Sequence, residues 1–365
     1  MTRPTDPIRA LLASPPHLPV VEVLPELRER LSLGLTGSDG VGACLVLTAP
    51  PGTGKTTLVP PLLADVLAGA LTSAPGAGAP DGDTPGRRPG RVVVTQPRRI
   101  AARAAARRLA GLLGEEVGGT VGYAVRGERR TGPGTRIEIV TAGLLLRRLQ
   151  RDPELSGVDA VILDEVHERS LESDLLLAFL TDARAALRED LTLVAMSATL
   201  DANRLRDILG GTLEDSGGTS DAGRAPLVKV PGRLHPLEEV WAPPGRTGRL
   251  GPRGVPREFL AHVAATVEQA LAEQDGDVLV FLPGAREVDD VVARLRDAAR
   301  EGVDVLPLHG RLPARAQDAA LTPSPAGRRR VVVSTNVAES SLTVPGVRVV
   351  VDSTLAREPR LDVAR

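Results

Sequence analysis

Two short stretches of this sequence carry residues whose types and order could do chemistry. The first, Ala49-Pro-Pro-Gly-Thr-Gly-Lys-Thr-Thr57, follows an apolar run and precedes a helical pattern. Backbone bending at Gly52 and Gly54 can wrap an anion with its N–H groups, Lys55 can reach the outer phosphates of a nucleotide, and the Thr56 hydroxyl can ligate Mg2+. Pro51, Gly52, Thr53, Gly54, Lys55, Thr56 and Thr57 are therefore the expected nucleotide cradle, with Ala49 standing where the general pattern has its first glycine. The second stretch, Val161-Ile-Leu-Asp-Glu-Val-His-Glu-Arg-Ser170, delivers two adjacent carboxylates at the end of an apolar run. A buried strand ending at Leu163 would place them at the carboxyl edge of a sheet, where open α/β folds bind ligands. An acidic pair alone is ordinarily a solvated turn. Joined to Lys55 and Thr56 it becomes the logic of nucleoside triphosphate hydrolysis, with Asp164 holding the metal and Glu165 orienting and deprotonating water. Thr56, Asp164 and Glu165 are the candidate metal-site residues.

The elements that must position these groups are legible as alternating strand and helix patterns. Cys44 to Thr48, Val92 to Gln96, Ile137 to Thr141, Val161 to Leu163 and Leu191 to Met196 read as buried strands, and each runs into a helical pattern or a polar turn. Polar residues at successive strand ends imply a parallel, doubly wound α/β sheet. Residues 1–20 are broken by prolines and read as an N-terminal arm; Val21 to Leu33 reads as an amphipathic helix. The low-complexity run 69–90 reads as a surface insertion, and the Gly/Ser/Asp-rich segment from Gly210 to Ala225 as a domain boundary. The expected organisation is a first domain over 21–225 and a second over 226–365. Asp277 to Leu282, Val303 to Leu308, Arg330 to Thr335 and Val347 to Asp352 supply strands for the second, and Arg286 to Glu301 a helix.

At 365 residues the chain exceeds the size at which one core keeps growing, so two domains are the natural expectation. The net charge of -1 offers no global attraction for nucleic acid, which leaves local patches. One such patch lies between Thr84 and Gly114, where arginines occur without any acidic residue; Arg99, Arg103 and Arg107 share a helical face and favour contact with a phosphate backbone over a merely solvated face. Arg108 is the candidate for stacking on a nucleotide base. Cys44 is the sole cysteine, which excludes an intramolecular disulfide and a Cys-rich zinc site. No signal peptide or long apolar span is indicated, so the sequence reads as cytoplasmic. His309 reads as a structural residue at a strand end, and Tyr123 and Trp241 are too isolated to form a base-stacking platform.

Asp164-Glu-Val-His-Glu-Arg-Ser170 resembles the second motif of the DEAH-type superfamily 2 helicases, with Val in place of the family's Ala. The other motifs follow in order: Ala49 to Thr57 is similar to motif I, Thr95-Gln-Pro-Arg-Arg99 to motif Ia, Thr141-Ala-Gly-Leu144 to motif Ib and Ser197-Ala-Thr199 to motif III. In the second half, Val280-Phe-Leu-Pro-Gly-Ala-Arg-Glu287 resembles motif IV and Ser334-Thr-Asn-Val-Ala-Glu-Ser-Ser-Leu-Thr343 motif V. The Phe-Leu-Pro-Gly form is most similar to the bacterial HrpB-type ATP-dependent helicases. The resemblance implies two RecA-like domains, MgATP in the cleft between them, and single-stranded RNA across their tops. It implies that Arg98, Arg99, Thr141, Gly284, Thr335 and Asn336 lie toward the nucleic acid. His167 and the hydroxyls of Ser197 and Thr199 would couple that path to the ATP site.

The family's motif VI, which brings arginine fingers to the γ-phosphate, normally follows motif V, and no Gln-x-x-Gly-Arg-x-Gly-Arg pattern occurs before Arg365. The expectation is a second domain that is incomplete in this sequence; loss of such a finger costs roughly 10³ to 10⁵ in turnover. The leading reading is an ATP-driven RNA helicase. A nucleotide-dependent RNA-binding module with little hydrolysis, and a DNA translocase, stand as alternatives.

Overall fold

The computed structural model describes residues 6–35, 42–73, 90–198, 202–210, 223–232, 235–245, 248–252, 254–297, 302–324, 328–339 and 342–357. The chain divides into two units, Met1–His235 and Pro236–Arg365. Most of the expected insertion at 69–90, Thr199, and Ser340 and Ser341 of the Ser334 to Thr343 stretch lie outside the described residues.

In the first unit, β1 (Cys44–Thr48), β2 (Val92–Gln96), β5 (Ile137–Thr141), β6 (Ala160–Leu163) and β7 (Thr192–Ser197) are near-continuous apolar runs. Strands of this kind suit a sheet covered on both faces. Together with β3 (Val121–Val125), β4 (Glu128–Arg130) and β8 (Leu227–Lys229) they form one sheet in the order β4-β3-β5-β2-β6-β7-β1-β8. Every neighbouring pair is parallel except the β3-β4 hairpin. Successive residues face opposite sides: Leu45 and Leu47 join one core and Val46 the other. The helices α1 (Pro7–Ala13), α2 (Leu24–Leu35), α3 (Lys55–Ser73) and α4 (Arg99–Leu112) contribute to the first core; α5 (Ala142–Arg151), α6 (Leu171–Ala186) and α7 (Asn203–Gly210) contribute to the second.

The N-terminal stretch is not the loose arm that its prolines suggest. Asp6 caps α1 by accepting from the Ile8 N–H, and Ile8 and Leu11 are buried. Arg9 and Arg28 both pair with Asp65 on α3, and Asp6 pairs with Arg136. Its last turn reaches the phosphate loop, where the Val20 N–H donates to the Thr53 carbonyl at 3.0 Å. The expected boundary at 225 also moves, because β8 pairs with β1 and so belongs to the first unit. A three-residue strand beyond a polar segment is too short to show periodicity. Tyr123 is fully buried, with its hydroxyl donating to Glu128 at 2.5 Å.

The second unit is built on α8 (Arg257–Glu273), β9 (Asp277–Phe281), α9 (Ala285–Asp297), β10 (Val303–Leu308), α10 (Ala314–Leu321), β11 (Arg329–Ser334) and β12 (Val347–Asp352). Its four strands run parallel in the order β10-β11-β9-β12. The buried Arg330 joins the sheet to its surroundings: it pairs with Asp277 at 2.8 Å and donates to the carbonyls of Ala320, Thr322 and Pro345. Helices α8 and α10 lie outside the expected elements, although Phe259, Leu260, Val263, Ala264 and Val267 are buried at helical spacing on α8. Among the described residues no helix is long and apolar enough to cross a membrane.

The docked N-terminal helix makes a quantitative prediction. Truncating a fully buried isoleucine costs about 2 to 5 kcal/mol, so Ile8→Ala is expected to lower the stability of the first unit by that amount in urea denaturation. A loose arm would give a change within about 0.5 kcal/mol.

Candidate active site

The phosphate loop leaves β1 at Thr48 and enters α3 at Lys55. Gly52 and Gly54 adopt φ of 77° and 90°, in the left-handed region that glycine enters without a Cβ penalty. A Cβ on Gly54 would meet the Leu18 side chain at 2.6 Å, so the N-terminal segment closes over the loop from outside. Thr53 is buried and its hydroxyl donates to the Pro50 carbonyl at 2.8 Å. Ala49 does not take a positive φ; it is buried and its N–H donates to the Ser197 carbonyl at 2.9 Å, so alanine fills a position that needs no glycine.

Sheet order brings the second stretch to the loop. β6 and β1 flank β7, so the carboxyl ends of three strands present Asp164, Ser197 and the loop side by side. Lys55 and Asp164 are 5% and 3% exposed. The Lys55 Nζ donates to Glu165 Oε2 at 2.9 Å, and the Thr56 hydroxyl donates to Asp164 Oδ2 at 2.5 Å. Glu165 itself takes a left-handed conformation, φ 55° and ψ 37°, in a chain turn where Asp164 Oδ1 accepts from its N–H at 2.9 Å. A non-glycine residue held there costs on the order of 1 to 3 kcal/mol and persists only where surrounding contacts impose it.

Burial and the neighbouring Glu165 charge push the Asp164 carboxyl up to about 6, against the pull of Lys55. Such an oxygen pair, buried beside a hydroxyl and short of positive charge, fits a hard divalent cation. Among the described residues no group of three or more His, Cys, Asp or Glu side chains is placed to hold a metal ion.

Burial, then the Lys55 charge, holds the His167 ring below its ordinary value. His167 Nδ1 accepts from the Ala198 N–H at 3.2 Å. The neutral ring makes the 3.3 Å approach of Glu165 Oε2 to the same nitrogen a contact and not an ion pair. The Ala198 bond ties the turn to the end of β7 through a backbone amide. Ser197 is buried at the strand end.

Gln96, to which the sequence reading gave no role, lies inside this site. It is 2% exposed and its Nε2 donates to Asp164 Oδ2 at 2.7 Å. A neutral amide carries no charge signal, and its partner is 68 residues away.

Arg98 caps α4 in extended conformation and Arg99 is exposed at its first turn. Thr141 ends β5, where the register pairs it with Gln96. These three are brought to one edge. The arginine stripe behind them is not available as a whole, since Arg103 pairs with Glu128 at 3.1 Å across 25 residues of sequence. Arg108 is exposed on α4, about 13 Å along the helix from Arg99 at 1.5 Å per residue. In the second unit Gly284, Thr335 and Asn336 follow the ends of the adjacent strands β9 and β11. A Cβ on Gly284 would meet Glu287 Oε2 at 2.6 Å and Arg357 Nη1 at 2.9 Å. His309 is buried at the end of β10, 3.6 Å from Asp289.

A phosphate loop facing a strand-terminal Asp-Glu pair, with a second parallel α/β unit following, defines a P-loop nucleotide-binding protein built from RecA-like domains. The sequence families agree: a DEAD/DEAH box helicase domain matches residues 35–208 and a helicase conserved C-terminal domain matches 261–365. The chain belongs to the DEAD/DEAH box helicases. It is 42% identical over 347 residues to the ATP-dependent RNA helicase HrpB of Escherichia coli (strain K12), covering 94% of this chain and 37% of that protein. It is 34% identical over 316 residues to the ATP-dependent RNA helicase HrpA homolog of Haemophilus influenzae, covering 87% of this chain and 21% of the relative. The crystal structure of the Escherichia coli DEAH/RHA helicase HrpB superposes with a TM-score of 0.72 at 40% identity, over 94% of this chain and 38% of that one. The chain thus spans between 21% and 38% of the length of these relatives.

The raised Asp164 has a thermodynamic consequence. Between its ordinary 3.8 and about 6 the folded state holds more protons than the unfolded state, so this group's contribution is fully present below 3.8 and is lost as pH rises through about 6. Without divalent cation, Asp164→Asn is expected to gain stability relative to the parent as pH rises through that window. Urea denaturation across a pH series measures it, and a constant difference between the two proteins would contradict the assignment.

Proposed function

We propose that this chain carries the ATP-hydrolysing core of an RNA-directed helicase. The observation that carries the reading is the direct pairing of the phosphate loop with the strand-end carboxylates, Lys55 to Glu165 and Thr56 to Asp164. The names of the relatives, ATP-dependent RNA helicases, support both the nucleotide and the nucleic acid.

In the nucleotide-bound protein, the N–H groups around Gly52 and Gly54 cradle the phosphates and Lys55 exchanges its bond to Glu165 for a phosphate oxygen. Thr56 and Asp164 would hold Mg2+, which would supply positive charge to neutralise the transferring phosphoryl group. Release from Lys55 leaves the Glu165 carboxylate free to orient and deprotonate water. The Lys55-Glu165 pair is thus a resting arrangement that satisfies two buried charges until the substrate replaces one partner. His167, neutral and tied to Ala198, fixes the turn that carries Glu165. Arg98, Arg99 and Thr141 on the first unit, and Gly284, Thr335 and Asn336 on the second, are the proposed contacts to single-stranded RNA. Arg108 is the proposed neighbour of the base.

A positioned general base contributes about 10² to 10⁴ in rate. Glu165→Gln is therefore expected to abolish RNA-stimulated phosphate release by this chain while nucleotide binding survives. Stimulated release at the parent rate would refute the role. Competing RNA and DNA strands of one sequence in the same assay separates an RNA-directed enzyme from a DNA translocase.

A further inference from the structure

Asp164 is gripped from two sides, and the two grips differ in kind. Among the described residues Oδ1 accepts only from the next residue in the chain, the Glu165 N–H. Oδ2 accepts from Thr56 at 2.5 Å and from Gln96 at 2.7 Å. The Thr56 hydroxyl is itself a proposed cation ligand, so its bond to Asp164 belongs to the same exchange that brings the nucleotide in. Among the described residues Gln96 is the remaining side-chain donor, and it comes from a strand that does not touch the phosphate loop in the sheet. Thr95 adds a weaker clasp, its hydroxyl accepting from the Asp164 N–H at 3.3 Å.

Gln96 is also one residue facing three ways. Its side chain bonds the metal carboxylate, its backbone is in parallel register with Thr141, and its chain continues through Pro97 to Arg98 and Arg99. Proline fixes φ near -65°, so a shift of the Arg98-Arg99 turn passes to the end of β2 with little slack. Resting on the helicase reading above, we propose that Gln96 is the positioning residue through which nucleic acid on Arg98, Arg99 and Thr141 acts on the Asp164 carboxylate. Nucleic acid that draws the β2 end into one position fixes the amide, and the amide fixes the plane in which Asp164 presents its oxygens to the cation. Ligands of this outer kind typically change metal affinity by 10- to 100-fold, and coupling between sites typically amounts to 5- to 150-fold in affinity.

A purely structural glutamine would make a different prediction, because filling a buried site alters stability without linking two ligands. The test uses the 365-residue chain, a fluorescent non-hydrolysable ATP analogue and a single-stranded RNA oligonucleotide. Analogue affinity is titrated with and without RNA, and the Mg2+ concentration for half-maximal analogue binding is read separately. The parent is expected to bind the analogue several-fold to about 100-fold more tightly with RNA. In Gln96→Met, which keeps the length of the side chain and loses its donor, that ratio is expected to fall to about 1 and the Mg2+ requirement to rise about 10-fold or more. RNA affinity without nucleotide stays at the parent value. If Gln96→Met does not fold, Gln96→Asn replaces it: the amide is kept one methylene short of Asp164, and the same loss of coupling is expected. A variant that keeps the parent's ratio overturns the inference and leaves Gln96 as packing. A parent that binds both ligands with no coupling between them overturns it as well while leaving the nucleotide site intact. A parent that binds no RNA removes the helicase reading and this inference together.

Discussion

A lysine and two carboxylates are placed where water barely reaches, and a buried charge without a partner destabilises a fold by several kcal/mol. Lys55, Asp164 and Glu165 solve that problem mutually, and only because two loops from non-adjacent strands arrive at the same edge of one sheet. The order of the strands is therefore part of the chemistry. With β7 alone between β1 and β6, the loop and the acidic turn face one another across a single strand width. On the proposed mechanism the resting pair also prepares the site electrostatically, since a triphosphate that takes Lys55 away from Glu165 receives a cation and leaves a base.

Much of this was legible because parallel strands buried on both faces write themselves as apolar runs. Val92 to Gln96 and Val161 to Leu163 announce where a strand ends, and the polar residue that follows is then at the carboxyl edge. The loop glycines are legible for a related reason: Gly52 and Gly54 take backbone angles that other residues avoid. Ala49 sits in a different position, where an ordinary φ lets alanine serve. The second domain's strands were read in the same way, and β10 and β12 fall on the expected residues.

The parts that were not legible depend on pairings between distant residues. Arg103 reads as a free cation on a helical face until the fold sets Glu128 beside it. The N-terminal stretch reads as an arm because seven helical residues among prolines show no periodicity, yet Ile8 and Leu11 find a core on α3, and Leu18 and Val20 brace the loop. Gln96 is neutral and stands inside a run already explained by its arginines. What marks it is the amide's 2.7 Å bond to Asp164, a fact of three dimensions alone. In the same way the bond from the Ala198 backbone to His167 leaves no mark in the sequence.

The central claim is that substrate phosphates displace Glu165 from Lys55, and this chain allows it to be watched directly. Lys55 and Lys229 are its only lysines, and Lys229 is exposed on the edge strand β8. With isotope-labelled lysine, nuclear magnetic resonance of the side chains gives two signals, which a Lys229→Arg variant assigns. Adding a non-hydrolysable ATP analogue with Mg2+ is predicted to move the Lys55 signal and leave that of Lys229 in place, and Glu165→Gln should move the Lys55 signal in the nucleotide-free protein but no longer in the complex. A Lys55 signal that stays at its nucleotide-free position while the analogue is bound would contradict the exchange on which the proposed mechanism rests.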